Sequence, residues 1–136
     1  MLLFLLRSEF DLGALRRNYD YYNPRTDHRY GSSLGPAMSA IIAAEVGHPE
    51  AAYEHFMLGA LADLNDPRGN AGDGIHGASC GGTWQAVVLG FAGLTVTAAG
   101  WSVNPNLPAR WRRVAFRFMH RGELQYVEIN NEVKPA

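Results

Sequence analysis

A change of hydrophobic period at Leu94 limits what this chain can fold into more than any other feature. Upstream of it, Met38, Ile41, Ile42 and Val46 recur at helical spacing, and Gly47 supplies a stop, so a helix is expected from Leu34 to Val46. Pro49 suits a first helical turn and Glu50 favours its N-terminus. Ala52, Phe56 and Ala60, with Tyr53, Met57, Leu61 and Leu64, then give a second helix a broad apolar face. The short link predicts that the two helices run antiparallel. "NDPRGNAGDG" is a loop by composition, after which Thr83 is expected to cap a third helix burying Trp84, Val87, Val88 and Phe91. Downstream the period becomes two: "LTVTA" is a short strand and "VNPNLPARW" a proline-punctuated crossing segment. "VAFRFMHRGELQYVEI" is a hairpin with Val114, Phe116 and Phe118 on one face and its turn at Arg121-Gly122. Helices come first and strands last, without βαβ alternation, which makes the chain mainly α with a small β part. There is no internal repeat, and the terminal "EVKPA" is expected to fray.

At 136 residues, 47% hydrophobic and 18% charged, the chain suits one domain, or one domain and part of another. A net charge of -1 and the lack of any Lys or Arg run exclude a nucleic-acid track and a membrane-surface patch, so neither partner is expected. Cys80 is the single cysteine, which rules out an internal disulfide; a reducing, cytoplasmic setting and a buried or incidental thiol are expected. "MLLFLL" begins in mid-element, too short to span a bilayer and without the parts of a signal peptide. It reads as the second half of a buried helix whose first half is missing, so the expectation is a fragment.

Gly31-Ser32-Ser33-Leu34-Gly35 satisfies the G-x-S-x-G pattern of a hydrolase nucleophile elbow. Such an elbow needs a buried strand running into the turn, and the preceding "YDYYNPRTDHRY" has no period-two apolar pattern. The order Ser33, Asp73, His76 mimics a Ser-acid-His series but is weak evidence for one. The other reading is an anion at a helix N-terminus, where free N–H groups and the helix dipole favour negative charge. Ser32 and Ser33 would add donors there and Gly35 close backbone approach; as plain N-caps they would need no ligand. His76 stands in "GDGIHGASCGG", whose glycines admit a ligand. His76 and Cys80 have the spacing of two ligands on one helical face, but Gly77, Gly81 and Gly82 disfavour a helix. No metal site is expected, since His28, His48, His55 and His120 form no ligand pattern either. Tyr19, Tyr21 and Tyr22 suit stacking on a sugar or packing beneath a loop.

Together, "NYDYYNPRTDHRYGSSLGPAMSAIIAAEVGHPEAAYEHF" and "GIHGASCGGTWQAVVLGFAGLTV" resemble the end of the catalytic domain in glycoside hydrolase family 65. That family holds the maltose, trehalose and kojibiose phosphorylases and some hydrolases. The likeness runs over roughly residues 3 to 130 and includes "NPNLP". It implies that residues 1-93 are the last helices of an (α/α)6-barrel catalytic domain and residues 94-136 a small antiparallel β domain. It further implies that Ser32, Ser33 and His76 bind inorganic phosphate, the co-substrate of an inverting α-glucoside disaccharide phosphorylase that needs no other cofactor. The family's general acid is a Glu upstream of the matched region, so this chain carries no catalytic residue and by itself should be inactive. Glu45, Glu50 and Glu54 are not candidates for that role.

In the full-length enzyme the partners would be an α-linked glucose disaccharide, phosphate and the missing N-terminal part of the barrel. Alone, the chain would expose apolar faces and self-associate. A family hydrolase remains the alternative, with a carboxylate activating water about 6.5–9.5 Å from the acid, as does a non-catalytic helical module. Tyr30 and Gly31 intervene where many members run from the His-Asp pair into the serines. Gly35 also replaces a frequent serine and Ser39 a common histidine; these departures leave sugar specificity open.

Overall fold

The computed structural model describes residues 2–131; the expected fraying of Glu132 to Ala136 lies outside them. Five helices precede two small antiparallel sheets. The first, α1 (Leu2–Leu5), is a single turn with no buried residue. Leu3 and Phe4 rest on the core while Leu2 and Leu5 are each 64% exposed, so the expected buried helix is a half-covered turn. A second helix, α2 (Leu12–Tyr22), is not legible from its apolar pattern. Asp11 caps it by accepting from the Ala14 N–H at 2.6 Å, and only Leu15 and Tyr19, one turn apart, point inward.

The centre is α3 (Gly35–Glu45), followed by α4 (Pro49–Ala60) across a three-residue turn in which Gly47 has φ +88°. From Pro36 to Ala44 every residue of α3 except Ser39 is buried. A helix apolar on all sides must be enclosed on all sides, and α1, α2, α4 and α5 surround it. The buried stripe of α4 is Ala52, His55 and Gly59; Leu64 is 81% exposed, beyond the helix and off the expected face.

The third expected helix starts earlier than its sequence suggests. It is α5 (Gly77–Gln85), running on into a π-type segment, Ala86–Phe91, where the Ala92 N–H reaches the Val87 carbonyl at 2.9 Å. Thr83 is therefore an interior residue whose hydroxyl donates to the Ser79 carbonyl at 2.8 Å, not a cap. Val88 and Phe91 are buried as expected, but Trp84 is 56% exposed and Cys80 is exposed. The glycines do not break α5, because one of them is there for packing. A Cβ on Gly82 would stand 2.7 Å from the Ala37 Cβ and 3.1 Å from the Leu34 Cδ1, so hydrogen alone lets α5 lie against α3.

After Gly93 (φ +63°), β1 (Thr95–Val96) pairs with β2 (Trp101–Ser102). The longer hairpin joins β3 (Arg113–His120) to β4 (Glu123–Asn130), in a register running from Arg113 opposite Asn130 to His120 opposite Glu123. Arg121 and Gly122 both have positive φ, the backbone of a two-residue turn that continues the strand twist. Val114, Phe116 and Phe118 share the more covered face, as the alternation predicts. The crossing segment is bonded to the helices: Asn106 donates its N–H to the Phe91 carbonyl at 2.8 Å and its Nδ2 to Ala44 at 2.6 Å. The Trp111 ring lies 4.6 Å from that of Phe91 and 5.4 Å from that of Phe56. No helix among the described residues is long and apolar enough to cross a membrane.

Candidate functional site

The serines sit on a loop that folds back on itself. A 3-10 turn (Asn23–Arg25) ends α2, and the Asp27 carboxylate then accepts the N–H groups of Arg29 and Tyr30 at 3.0 and 2.9 Å. Those two backbone bonds, that of Tyr30 first, hold the Asp27 carboxyl below the usual range. Gly31 is required because a Cβ there would clash with the Asp27 carbonyl oxygen. Ser32 closes the turn into α3: its carbonyl accepts from the Gly35 N–H at 3.0 Å and its hydroxyl from the Leu34 N–H at 3.3 Å. No strand precedes Gly31, so the nucleophile-elbow geometry is absent from this loop. Ser33 is half-buried, and its hydroxyl makes no hydrogen bond among the described residues.

His76 caps α5 from a loop wired from within. Asp66, at φ 41°, accepts the N–H groups of Asn70 and Ala71 at 2.9 and 3.0 Å. At the start of this loop, just beyond α4, Asp63 faces His76. The His76 Nδ1–H donates to the Asp63 Oδ1 at 2.5 Å, and the His76 backbone N–H donates to both carboxylate oxygens at 3.0 and 3.2 Å. The side chains are 16% and 23% exposed. The His76 side-chain bond, then its backbone N–H and charge, keep the Asp63 carboxyl below its ordinary value, against a partial desolvation that would raise it. The acid beside His76 is thus Asp63, not Asp73, which lies in an exposed 3-10 turn (Ala71–Asp73). Nothing in the sequence marks that pairing, because 13 residues and a loop separate the partners.

Two contacts tie the serine loop to the histidine loop. The Arg68 Nε donates to the Arg29 carbonyl at 2.8 Å, and the Gly82 seam sets the first turn of α3 against α5. Gly82 is six residues beyond His76, about 9 Å of helical rise, and no hydrogen bond joins Ser32 or Ser33 to His76 among the described residues. A cavity of about 260 Å³ opens beside Ser33, lined also by His28, Arg29, Arg68, Glu54 and Met57; neither Ser32 nor His76 lines it.

At the His28 wall of that cavity, histidines that form no pattern in the sequence come together. The rings of His28 and His55 lie 4.4 Å apart, and His55 Nε2 meets the Tyr19 hydroxyl at 3.3 Å. His28 donates from Nε2 to the Asn23 carbonyl and side-chain oxygens at 3.2 and 2.9 Å. Burial first, and then the facing His28, push His55 down to about 4, so its ring is neutral at pH 7. Tyr19 thus belongs to the interior, whereas Tyr21 and Tyr22 are exposed. Among the described residues no three His, Cys, Asp or Glu side chains are placed to hold a metal ion.

Comparison with known proteins follows the same residues. The family model of the glycosyl hydrolase family 65 central catalytic domain matches residues 1–85. A kojibiose phosphorylase of Caldanaerobacter subterraneus is 44% identical over 97% of this chain, and an alpha,alpha-trehalose phosphorylase of Thermoanaerobacter brockii is 42% identical over 97%. The chain spans 17% of the length of each of these curated relatives. A solved structure of a candidate kojibiose phosphorylase from the human microbiome superposes with a TM-score of 0.85 at 32% identity, over 95% of this chain and 19% of that one.

Proposed function

Because the chain belongs to glycosyl hydrolase family 65, we propose that it forms the phosphate-holding part of an inverting α-glucoside phosphorylase. Residues 1-93 are the last helices of its (α/α)6 barrel and residues 94-136 a small β domain. What supports the reading is one spatial fact: the loop with Ser32 and Ser33 is joined through Arg68 and the Gly82 seam to the loop with His76. Ser33 has a hydroxyl without a partner among the described residues, and the N-terminal end of the α3 dipole lies beside it.

In the reaction a phosphate oxygen attacks the anomeric carbon from the face opposite the glycosidic bond. The C1–O bond to the leaving sugar breaks as a carboxylic acid protonates that oxygen, and a new C1–O–P bond forms with inverted configuration. The role of this chain is to neutralise and orient the phosphate. The acid, a Glu in the family, is supplied from outside these 136 residues. The chain alone therefore lacks both the proton donor, worth about 10²–10⁴-fold, and the wall that would position the sugar.

Two assays test this. The purified chain, incubated with phosphate and α-linked glucose disaccharides, should form no glucose 1-phosphate; turnover at about 1 per second or faster would refute the account. Exchanged for the matching segment of the 44%-identical kojibiose phosphorylase, it should support phosphate-dependent release of glucose 1-phosphate. In that chimera Ser33→Ala should raise the KM for phosphate more than that for the disaccharide. Equal effects would remove Ser33 from the phosphate site, and free glucose formed without phosphate would assign a hydrolase.

A further inference from the structure

The pairing of Asp63 with His76 determines which nitrogen of the ring faces outward and in what state that nitrogen can hold an anion. Asp63 occupies Nδ1 at 2.5 Å and the His76 backbone N–H at 3.0 Å, so ring and backbone are gripped by one carboxylate. A carboxylate on one imidazole nitrogen sets the tautomer and the ring orientation. Nε2 has no hydrogen-bond partner and is not a buried orphan among the described residues. In the neutral ring the Nδ1–H given to Asp63 leaves Nε2 with a bare lone pair, which repels a phosphate oxygen. Only the ring protonated on both nitrogens donates to that oxygen.

Resting on the phosphate reading above, we propose that Asp63 is a positioning residue for phosphate: it locks His76 with Nδ1–H inward, so that the opposite nitrogen, Nε2, is the one turned to the bound anion and donates to it from the imidazolium ring. The second proton comes from solvent or from dihydrogen phosphate itself, and either route ends with imidazolium facing hydrogen phosphate. The loop between Asp63 and His76 also carries Asp66 and Arg68, the latter bonded to the Arg29 carbonyl, and α4 carries His55. Asp73 and Cys80 flank the ring in its own segment, α4 carries Glu50 and Glu54 in its first two turns, away from the end that leads to Asp63, and α3 has no ionisable residue before Glu45.

Imidazole ¹⁵N resonances of the 136-residue chain, titrated with inorganic phosphate, test this at a single atom. In the wild type the neutral His76 ring should carry its proton on Nδ1, and phosphate should shift Nε2 toward the protonated position. Asp63→Asn keeps an oxygen to accept from Nδ1–H but loses the charge. The tautomer should survive, while the phosphate concentration at half-shift rises about tenfold, the order of weakening a charge-assisted hydrogen bond to a neutral one. Asp63→Ala should also release the ring to the Nε2–H tautomer, with unchanged His28 and His55 signals reporting an intact fold. A wild-type ring neutral with Nε2–H, or equal half-shift concentrations in wild type and Asp63→Asn, overturns the role of Asp63 alone. No response of His76 to phosphate in any variant overturns both that role and the phosphate reading on which it rests.

Discussion

Replacing either of two adjacent glycines by alanine should change stability in opposite senses. Gly81 and Gly82 both lie in the interior of α5, but a Cβ on Gly81 meets nothing within 4 Å, whereas on Gly82 it stands 2.7 Å from the Ala37 Cβ and 3.1 Å from the Leu34 Cδ1. Carbon atoms pack at about 3.5–4.0 Å, so Gly82→Ala forces α3 and α5 apart by roughly 1 Å. Overpacking of this kind costs about 1–3 kcal/mol. Helix propensity contributes about 1 kcal/mol in favour of alanine at either position, so the difference between the two variants isolates the packing term. Gly81→Ala should be more stable than the wild type, and Gly82→Ala about 1–3 kcal/mol less stable than Gly81→Ala. With m of about 1–3 kcal/mol/M in urea, their unfolding midpoints should differ by on the order of 1 M. Coincident midpoints would show that Gly82 does not form a close seam, and with it would go the argument that the seam holds the serine loop near His76.

The His55 ring is depressed from 6.5 to about 4 by burial and by the facing His28, with Tyr19 as its hydrogen-bond partner. The unfolded chain therefore binds the extra proton first: stability is fully present above pH 6.5 and is lost as pH falls from there toward 4, by about 3 kcal/mol in all. Urea midpoints measured across that range test the loss, and a ring titrating near 6.5 by NMR would contradict it. Gly93→Ala should be more damaging than Gly82→Ala in a thermal melt, because φ is +63° and the new Cβ would lie against the Asn104 carbonyl oxygen; an unchanged melting temperature would refute that clash. Exposed Cys80 should react fully with a thiol reagent in the native chain, and a thiol reactive only after unfolding would contradict its placement.

Elements whose signal is local are legible in the residues themselves. The apolar set at helical spacing marks α3, Pro49 and Glu50 mark the start of α4, and strict alternation around Arg121-Gly122 marks the β3–β4 hairpin. Where a local pattern misleads, a distant neighbour overrides a local preference. Gly77, Gly81 and Gly82 argue against a helix that α3 needs at close range. Thr83 looks like a cap because the true start, at His76, has no capping side-chain bond of its own. The α2 helix hides in "LGALRRNYDYY" because it buries only Leu15 and Tyr19. Ser32, Ser33 and His76 stand out in glycine-rich loops ahead of helices, but Asp63 does not.

The order of helices and strands, the turn and stop positions and the family are all written along the chain, because hydrophobic period, backbone-restricted residues and motif order are properties of sequential neighbours. Folding in three dimensions settles which carboxylate grips His76, that His28 and His55 meet at the cavity wall, and that Asn106 and Trp111 fasten the crossing segment to the helices. Each of those contacts joins residues from 13 to 62 positions apart. Such a pairing depends on how helices enclose α3, which no local pattern encodes.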